Sequence, residues 1–242
     1  MMKAVAIDIE TVLDREAAER CGYTPCDDFA PFPLHTIVCA SAFSVTSMAD
    51  GHCLYAIESF SLGNRSERGI IASVEEAVSD ASMVYTFNGC RFDLPVLVTR
   101  AAVHEVHVPR LIDLQNRSRV GRHLDLFDQI KRDAAPVSLT HLCAPFGIPV
   151  KQVSTARVSE LVASQEWGAL EHYCESDAVG CWLAAQFWNS VQEPGFARQM
   201  WHDLAGWVVA NADENPGLLP FAAVSEPPRA ASQTGSVDDI YF

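Results

Sequence analysis

The chain has 242 residues, 49% of them hydrophobic, with a formal net charge of −14 and a sequence pI near 4.8. That length holds one large domain or two small ones, with enough apolar content for a sizeable core. The acidic balance excludes a generic basic nucleic-acid binder and a protein that adheres to anionic membranes. The charge is uneven, because residues 91–157 carry 10 Lys/Arg against 6 Asp/Glu, a local +4, and the remainder carries −18. Such a middle is either a polyanion track or a chance cluster. Eight cysteines include no C-x-x-C pair and no zinc-finger spacing. Cys39, Cys90 and Cys181 read as buried thiols of a reducing compartment. Asp8 and Glu10 interrupt any N-terminal apolar leader, and no apolar run approaches the ~20 residues of a membrane span. A soluble, cytoplasmic protein with no membrane partner is expected.

In chain order, residues 4–7 are a short apolar run that reads as a strand buried on both faces. A short charged helix at 14–20 and a Pro-rich loop at 22–33 follow. Strands at 36–45 and 53–57, joined by a polar turn, form an antiparallel hairpin. A helix at 73–82, a strand at 83–87, a helix at 94–103 and a fifth strand at 111–114 come next. Residues 124–131 and 138–146 are helical, with Ser138 as N-cap. Residues 158–164, a long stretch at 167–191 and a last segment from Pro194 to about Asn211 complete the helices. From Asn215 the composition turns to Pro, Ala and Ser, which reads as a linker-like tail. The expected organisation is a catalytic domain over 1–192, a packed C-terminal helix over 193–214 and a flexible tail over 215–242. The order of elements gives an α/β domain with a mixed sheet.

Three motifs carry chemistry. In the first, Asp8 and Glu10 stand two residues apart at the end of the first strand and so point the same way. Paired carboxylates there are costly unless a cation compensates them, and oxygen ligands suit Mg²⁺ or Mn²⁺. A solvated strand-end turn is the alternative. The second motif, residues 87–97 (FNGCRFDLPVL), has an Asn88-Gly89 turn signal and sets Asp93 at a helix start, where it also suits the macrodipole. In the third, HYCESD at 172–177, Tyr173 and Asp177 share a helix face. A hydrogen-bonded pair in a packing seam is the plain reading of that pair. His172 and Glu175 point elsewhere, toward solvent.

Taken in order, D-x-E, N-G-x-x-F-D and Y-x-x-x-D resemble the DEDDy 3′–5′ exonucleases of the ribonuclease H-like fold, and in particular the predicted exonucleases related to family B polymerases. His123 to Ile130, HLDLFDQI, is similar to the middle segment of that group. The resemblance spans roughly residues 3–190. It implies a ribonuclease H-like mixed five-stranded sheet flanked by helices, with a C-terminal helix and tail outside it. It also implies two divalent ions, Mg²⁺ or Mn²⁺, held by Asp8, Glu10, Asp93 and Asp177, with Tyr173 positioning the attacking water. A phenol of pKa near 10 is a poor base at neutral pH, so orientation is the role that suits it. The implied reaction is hydrolysis from the 3′ end of single-stranded nucleic acid, DNA slightly before RNA, releasing nucleoside 5′-monophosphates.

Thr11 and Asn88 flank the acids and are candidates to bond the terminal nucleotide. Phe92 suits a wedge against a base or a core position. Arg91, Arg117, Arg119, Arg122, Lys131 and Arg132 suit phosphate contacts or solvated surface. His123 and Asp125 line the cleft or stabilise it. The same strand ending D-x-x-x-T also suits a haloacid dehalogenase-type phosphatase, although Glu10 replaces the usual Asp and lysines are scarce. A catalytically inactive nucleic-acid-binding or scaffold protein of the same fold is the other alternative. The acidic-aromatic tip Asp238, Asp239, Ile240, Tyr241 and Phe242 resembles the tips of bacterial single-stranded-DNA-binding proteins. It is read as a docking element for a protein partner or for the chain's own domain, or else as a frayed end.

Overall fold

The structure is a computed structural model that describes residues 1–25, 29–116, 122–131, 135–150 and 155–226. Its centre is a five-stranded sheet in the order β3-β2-β1-β4-β5. Strands β1 (Met2–Leu13), β2 (His35–Ser47) and β3 (Cys53–Ser61) form an antiparallel meander. Strands β4 (Met83–Thr86) and β5 (His123–Asp125) add to the other side of β1 in parallel. The sheet is therefore mixed, with β1 in the middle.

Alternation along β1 sends its side chains to two separate cores. Val5, Ile7 and Ile9 pack with Ile70, Val74, Leu94 and Leu97 on one face. That face is covered by α2 (Glu67–Ser79), α3 (Asp93–Val103) and α4 (Pro109–Gln115). Ala6 belongs to the opposite core with Phe43, Tyr55 and Trp182. The 23-residue helix α8 (Trp167–Asn189) covers that side and buries an unbroken run from Ala178 to Gln186. Asp8 and Glu10 keep the parity of Ala6 and so meet α8.

Several local expectations change. Residues 111–114 lie in helix α4, not in a strand. A four-residue apolar run fits either period, and Pro109 at the first helical turn decides it. The fifth strand is the three-residue β5, recognisable only by its pairing with β4. Helix α2 begins at Glu67, well before residue 73, because Ser66 caps it by accepting from the Gly69 amide. Glu67 is buried with Arg100, which chelates it through Nε (2.7 Å) and Nη2 (2.6 Å) and also reaches Asp14 at 2.7 Å. This network ties α2 and α3 to Asp14, the N-cap of α1 (Arg15–Cys21). Ser138 does cap a helix, α6 (Leu139–Cys143), after the short α5 (Leu126–Lys131). The remaining helices are α7 (Thr155–Ala163) and α9 (Phe196–Ala210).

The expected tail start at Asn215 is too early. Residues 216–222 form a 3₁₀ segment whose Leu218 and Phe221 are fully buried in the α8 core. The Phe221 carbonyl accepts from the indole nitrogen of buried Trp201 at 2.9 Å. Two prolines made the segment read as linker, but Pro216 sits in its first turn, where no amide is needed. Among the described residues no helix is long and apolar enough to cross a membrane.

Candidate active site

The carboxylates come from three elements. Strand β1 supplies Asp8 and Glu10 on the α8 face. Opposite them β2 carries a bulge: Glu10 pairs with Cys39 and Thr11 pairs with Ile37, so Val38 has no partner in the ladder. The extra residue sets Val38 and Cys39 side by side in the apolar cluster beneath α8, while Ile37 joins the opposite core. The Val38 carbonyl is satisfied by the Leu62 amide at 3.0 Å.

Asp93 opens α3 and is 6% exposed. The turn that delivers it is held by Asp125, whose carboxylate accepts from the amides of Asn88 (2.9 Å), Cys90 (2.8 Å) and Phe127 (3.1 Å). Asn88 takes a left-handed φ of 66°, which Asn tolerates better than most residues. Gly89 lies so close to Thr86 that an added Cβ would approach its side chain to 2.5 Å. Asp125 thus acts through the second motif: it is a positioning residue. The sequence left this role open because HLDLFD does not reveal what its acids accept.

Helix α8 supplies Tyr173 and Asp177 one turn apart on one face. Between them Cys174 is buried, and its thiol donates to the Asp8 carbonyl (3.3 Å) and to Asp8 Oδ2 (3.5 Å). Asp8, Glu10 and Cys174 bring their ligand atoms within 4.8 Å of one another, a donor group that the acidic motifs alone did not indicate. Glu175, expected on the solvent side, is instead buried and accepts from Ser59 at 2.8 Å. The helix meets the sheet over a wider arc than the 173/177 stripe suggests.

Electrostatically the four acids form one cluster. Burial, then the charges of Asp177, Glu10 and Asp93, hold the Asp8 carboxyl well above the usual range. Burial, Asp177 and Asp93 do the same to Glu10. Asp93 is pushed up to about 7 by burial, with Asp125 and Asp177 adding to it against opposing amide hydrogen bonds. Asp177 is pushed up to about 7 by burial, with the nearby Tyr173 hydroxyl opposing the shift. Among the described residues Asp177 Oδ1 is buried without a hydrogen-bond partner. A hard divalent cation satisfies such an atom and relieves such a cluster, so the donor set fits one. Burial and the adjacent acids also raise the Tyr173 hydroxyl far above its ordinary value, keeping it a neutral phenol.

The substrate-side candidates are more dispersed in their engagements. The Thr11 hydroxyl is 2.8 Å from His35 Nδ1. Arg91 is paired with Asp128 and lies over the Phe127 ring at 5.2 Å. His123 meets Thr86 Oγ1 at 2.8 Å and Cys90 Sγ at 3.8 Å. Phe92 is half-buried and packs edge-on against Phe29 and His35. Cys39 and Cys181 are buried as expected, whereas Cys90 is half-exposed. Arg117, Arg119, Arg132 and the tip residues 238–242 lie outside the described residues.

Residues 27–193 match the family described as a predicted 3′–5′ exonuclease related to the exonuclease domain of PolB. The chain belongs to that family. The haloacid dehalogenase-type alternative falls with this assignment. Among solved structures, the family B DNA polymerase from the hyperthermophilic archaeon Pyrobaculum calidifontis aligns with a TM-score of 0.53 at 20% identity. The alignment covers 92% of this chain and 27% of the polymerase, so the likeness is one of fold to part of a much longer protein. A structure described as an ExoI/SSB-Ct complex aligns with a TM-score of 0.41 at 13% identity, over 69% of this chain and 42% of that one. No curated protein matches the chain. The family member in hand is thus an exonuclease-like α/β domain with an acidic group able to take metal.

Proposed function

We propose that this chain is a metal-dependent 3′–5′ exonuclease acting on single-stranded ends, DNA before RNA, and releasing nucleoside 5′-monophosphates. The observation that carries the reading is the buried Oδ1 of Asp177, without a hydrogen-bond partner among the described residues, beside three further carboxylates that raise one another's proton affinity. Asp8, Glu10, Asp93 and Asp177 would hold two ions, Mg²⁺ or Mn²⁺, which supply charge stabilisation for an in-line displacement at phosphorus. Tyr173, kept neutral, orients the attacking water and does not deprotonate it. The water oxygen bonds to phosphorus, and the bond from phosphorus to the 3′-oxygen of the preceding nucleotide breaks. That oxygen takes up a proton, leaving a shortened strand with a 3′-hydroxyl and a free 5′-monophosphate. Asn88 and Thr11 flank the terminal nucleotide, and Arg91 and His123 approach its phosphate side. The net charge of −14 weakens long-range attraction to a polyanion, so short single-stranded ends suit the protein better than long duplexes.

The test is hydrolysis of 5′- and 3′-labelled single strands of DNA and RNA in Mg²⁺, Mn²⁺ or EDTA. We expect 5′-monophosphates from free 3′ ends, and no reaction in EDTA or with Asp8→Ala or Asp177→Ala. Tyr173→Phe should lower kcat by roughly 100-fold, the usual scale for one positioned polar group, and retain Mn²⁺ binding by calorimetry. Products carrying 3′-phosphates would overturn the mechanism. Tight oligonucleotide binding without turnover would instead indicate a scaffold of the same fold.

We also propose, from the sequence of the tip alone, that Asp238, Asp239, Ile240, Tyr241 and Phe242 dock on a protein surface and not on nucleic acid, which their acids repel. A peptide of residues 233–242 that binds neither the truncated chain nor candidate partners would refute this.

A further inference from the structure

One donor at the candidate active site is not an acid. Cys174 lies on α8 between Tyr173 and Asp177 and is wholly buried. Its Sγ stands 3.3 Å from the Asp8 carbonyl and 3.5 Å from Asp8 Oδ2. With one oxygen each of Asp8 and Glu10 it forms a group whose ligand atoms all lie within 4.8 Å of one another. Behind it Cys174 packs with Val38, Cys39, Val158, Leu161 and Leu170, a dry apolar backing.

A cysteine that served packing alone would need no carboxylate beside its sulfur. In the ion-free chain the thiol keeps its proton and donates it to Asp8. Loss of that proton to solvent on ion binding turns the sulfur into a ligand beside the two carboxylate oxygens. The spacing permits this. Sulfur about 2.3 Å and oxygen about 2.1 Å from one tetrahedral ion stand about 3.6 Å apart. The separation of Sγ and Asp8 Oδ2 is already 3.5 Å. A hard ion such as Mg²⁺ gains little from a sulfur donor, whereas a thiophilic ion such as Zn²⁺ gains much.

We propose that Cys174 is a third protein ligand beside Asp8 and Glu10, and that it makes their ion site favour thiophilic divalent ions over Mg²⁺. The inference rests on the exonuclease reading above, which assigns an ion to these acids. It goes beyond that reading by giving one of the two ions a sulfur donor. Asp93 and Asp177 keep an all-oxygen character on their side of the cluster. The two ion positions therefore differ in the metals they accept.

The test titrates the reduced full chain with Co²⁺ and follows the near-ultraviolet charge-transfer band that a sulfur–cobalt bond produces. Wild type should develop the band. Cys174→Ser, which keeps a hydrogen-bond donor for Asp8, should lose it and bind Zn²⁺ about 10-fold or more weakly, with Mg²⁺ binding unchanged by calorimetry. Cys90→Ser, which removes the thiol near Asp125 and Asp128, should keep the band. Zinc-loaded wild type gives a second reading that needs no variant. Its X-ray absorption should show a sulfur neighbour at about 2.3 Å, and oxygen or nitrogen neighbours alone would overturn the proposal. If the band persists in Cys174→Ser, or is absent from wild type that binds Mn²⁺ and hydrolyses strands, the sulfur ligand is wrong and the exonuclease reading stands. If wild type binds no divalent ion and hydrolyses no strand, both fall.

Discussion

At the scale of single residues, the acids make the ion-free protein sensitive to pH in an unusual direction. Asp93 and Asp177 hold their protons up to about 7 in the folded chain. In the unfolded chain they release them near 4, as roughly expected of a free Asp. Between those values the folded state binds more protons, so stability is highest in acid and falls as pH rises toward 7. We therefore expect the melting temperature in EDTA to drop between pH 5 and pH 7.5 on account of this cluster. Millimolar Mn²⁺ should restore it, with a larger gain at the higher pH. Asp177→Asn should raise the ion-free melting temperature at pH 7.5 and shrink the Mn²⁺ gain. A thermal scan giving the same Mn²⁺ response in wild type and Asp8→Ala would rule out this account. The acids were legible in the sequence because two residues apart on a strand, or four on a helix, fixes a shared direction whatever surrounds it. Cys174 was not, because its role arises only from a contact between distant parts of the chain.

At the scale of elements, the second motif depends on a turn that it does not itself hold. Asp125 accepts three amides from two segments and so joins β5 and α5 to the loop before α3. Asp125→Ala would leave those donors unmet, with a loss on the order of 3 kcal/mol. We expect a lower denaturation midpoint together with weaker Mn²⁺ binding, because Asp93 loses its fixed seat. A variant that loses stability but binds Mn²⁺ with wild-type affinity would show that the turn stands without its clasp. The central strand and the hairpin could be read from β-branched runs and a turn. The β5 strand could not, since three residues carry no period of their own and only the neighbouring β4 makes them a strand. The start of α2 lay in a cap, Ser66, embedded in a stretch that otherwise reads as loop.

At the scale of the whole molecule, the last third of the described chain completes the core beneath α8. Trp201 and Phe221 are both fully buried, and the indole–carbonyl bond links them. Phe221→Ala should cost about 3–5 kcal/mol, the usual loss for a buried aromatic. Chemical denaturation would measure it, and a loss below about 1 kcal/mol would mean that residues 216–222 are peripheral. That segment was illegible because its prolines and small residues have linker composition, whereas its two large apolar side chains do the packing.

The bulge in β2 makes that strand a counter of parity. Val38 is the extra residue across which Cys39 and Ile37, two apart in sequence, lie on opposite sides. Removing it would leave Cys39 opposite Glu10 and Ile37 opposite Thr11, a regular ladder in which residues 35–37 keep their sides. His35 would still lie on the side of Thr11, and what the strand would lose is the local bend of the bulge. A one-residue deletion there is thus a change of curvature and not of facing, which makes position 38 a tolerant point of the strand.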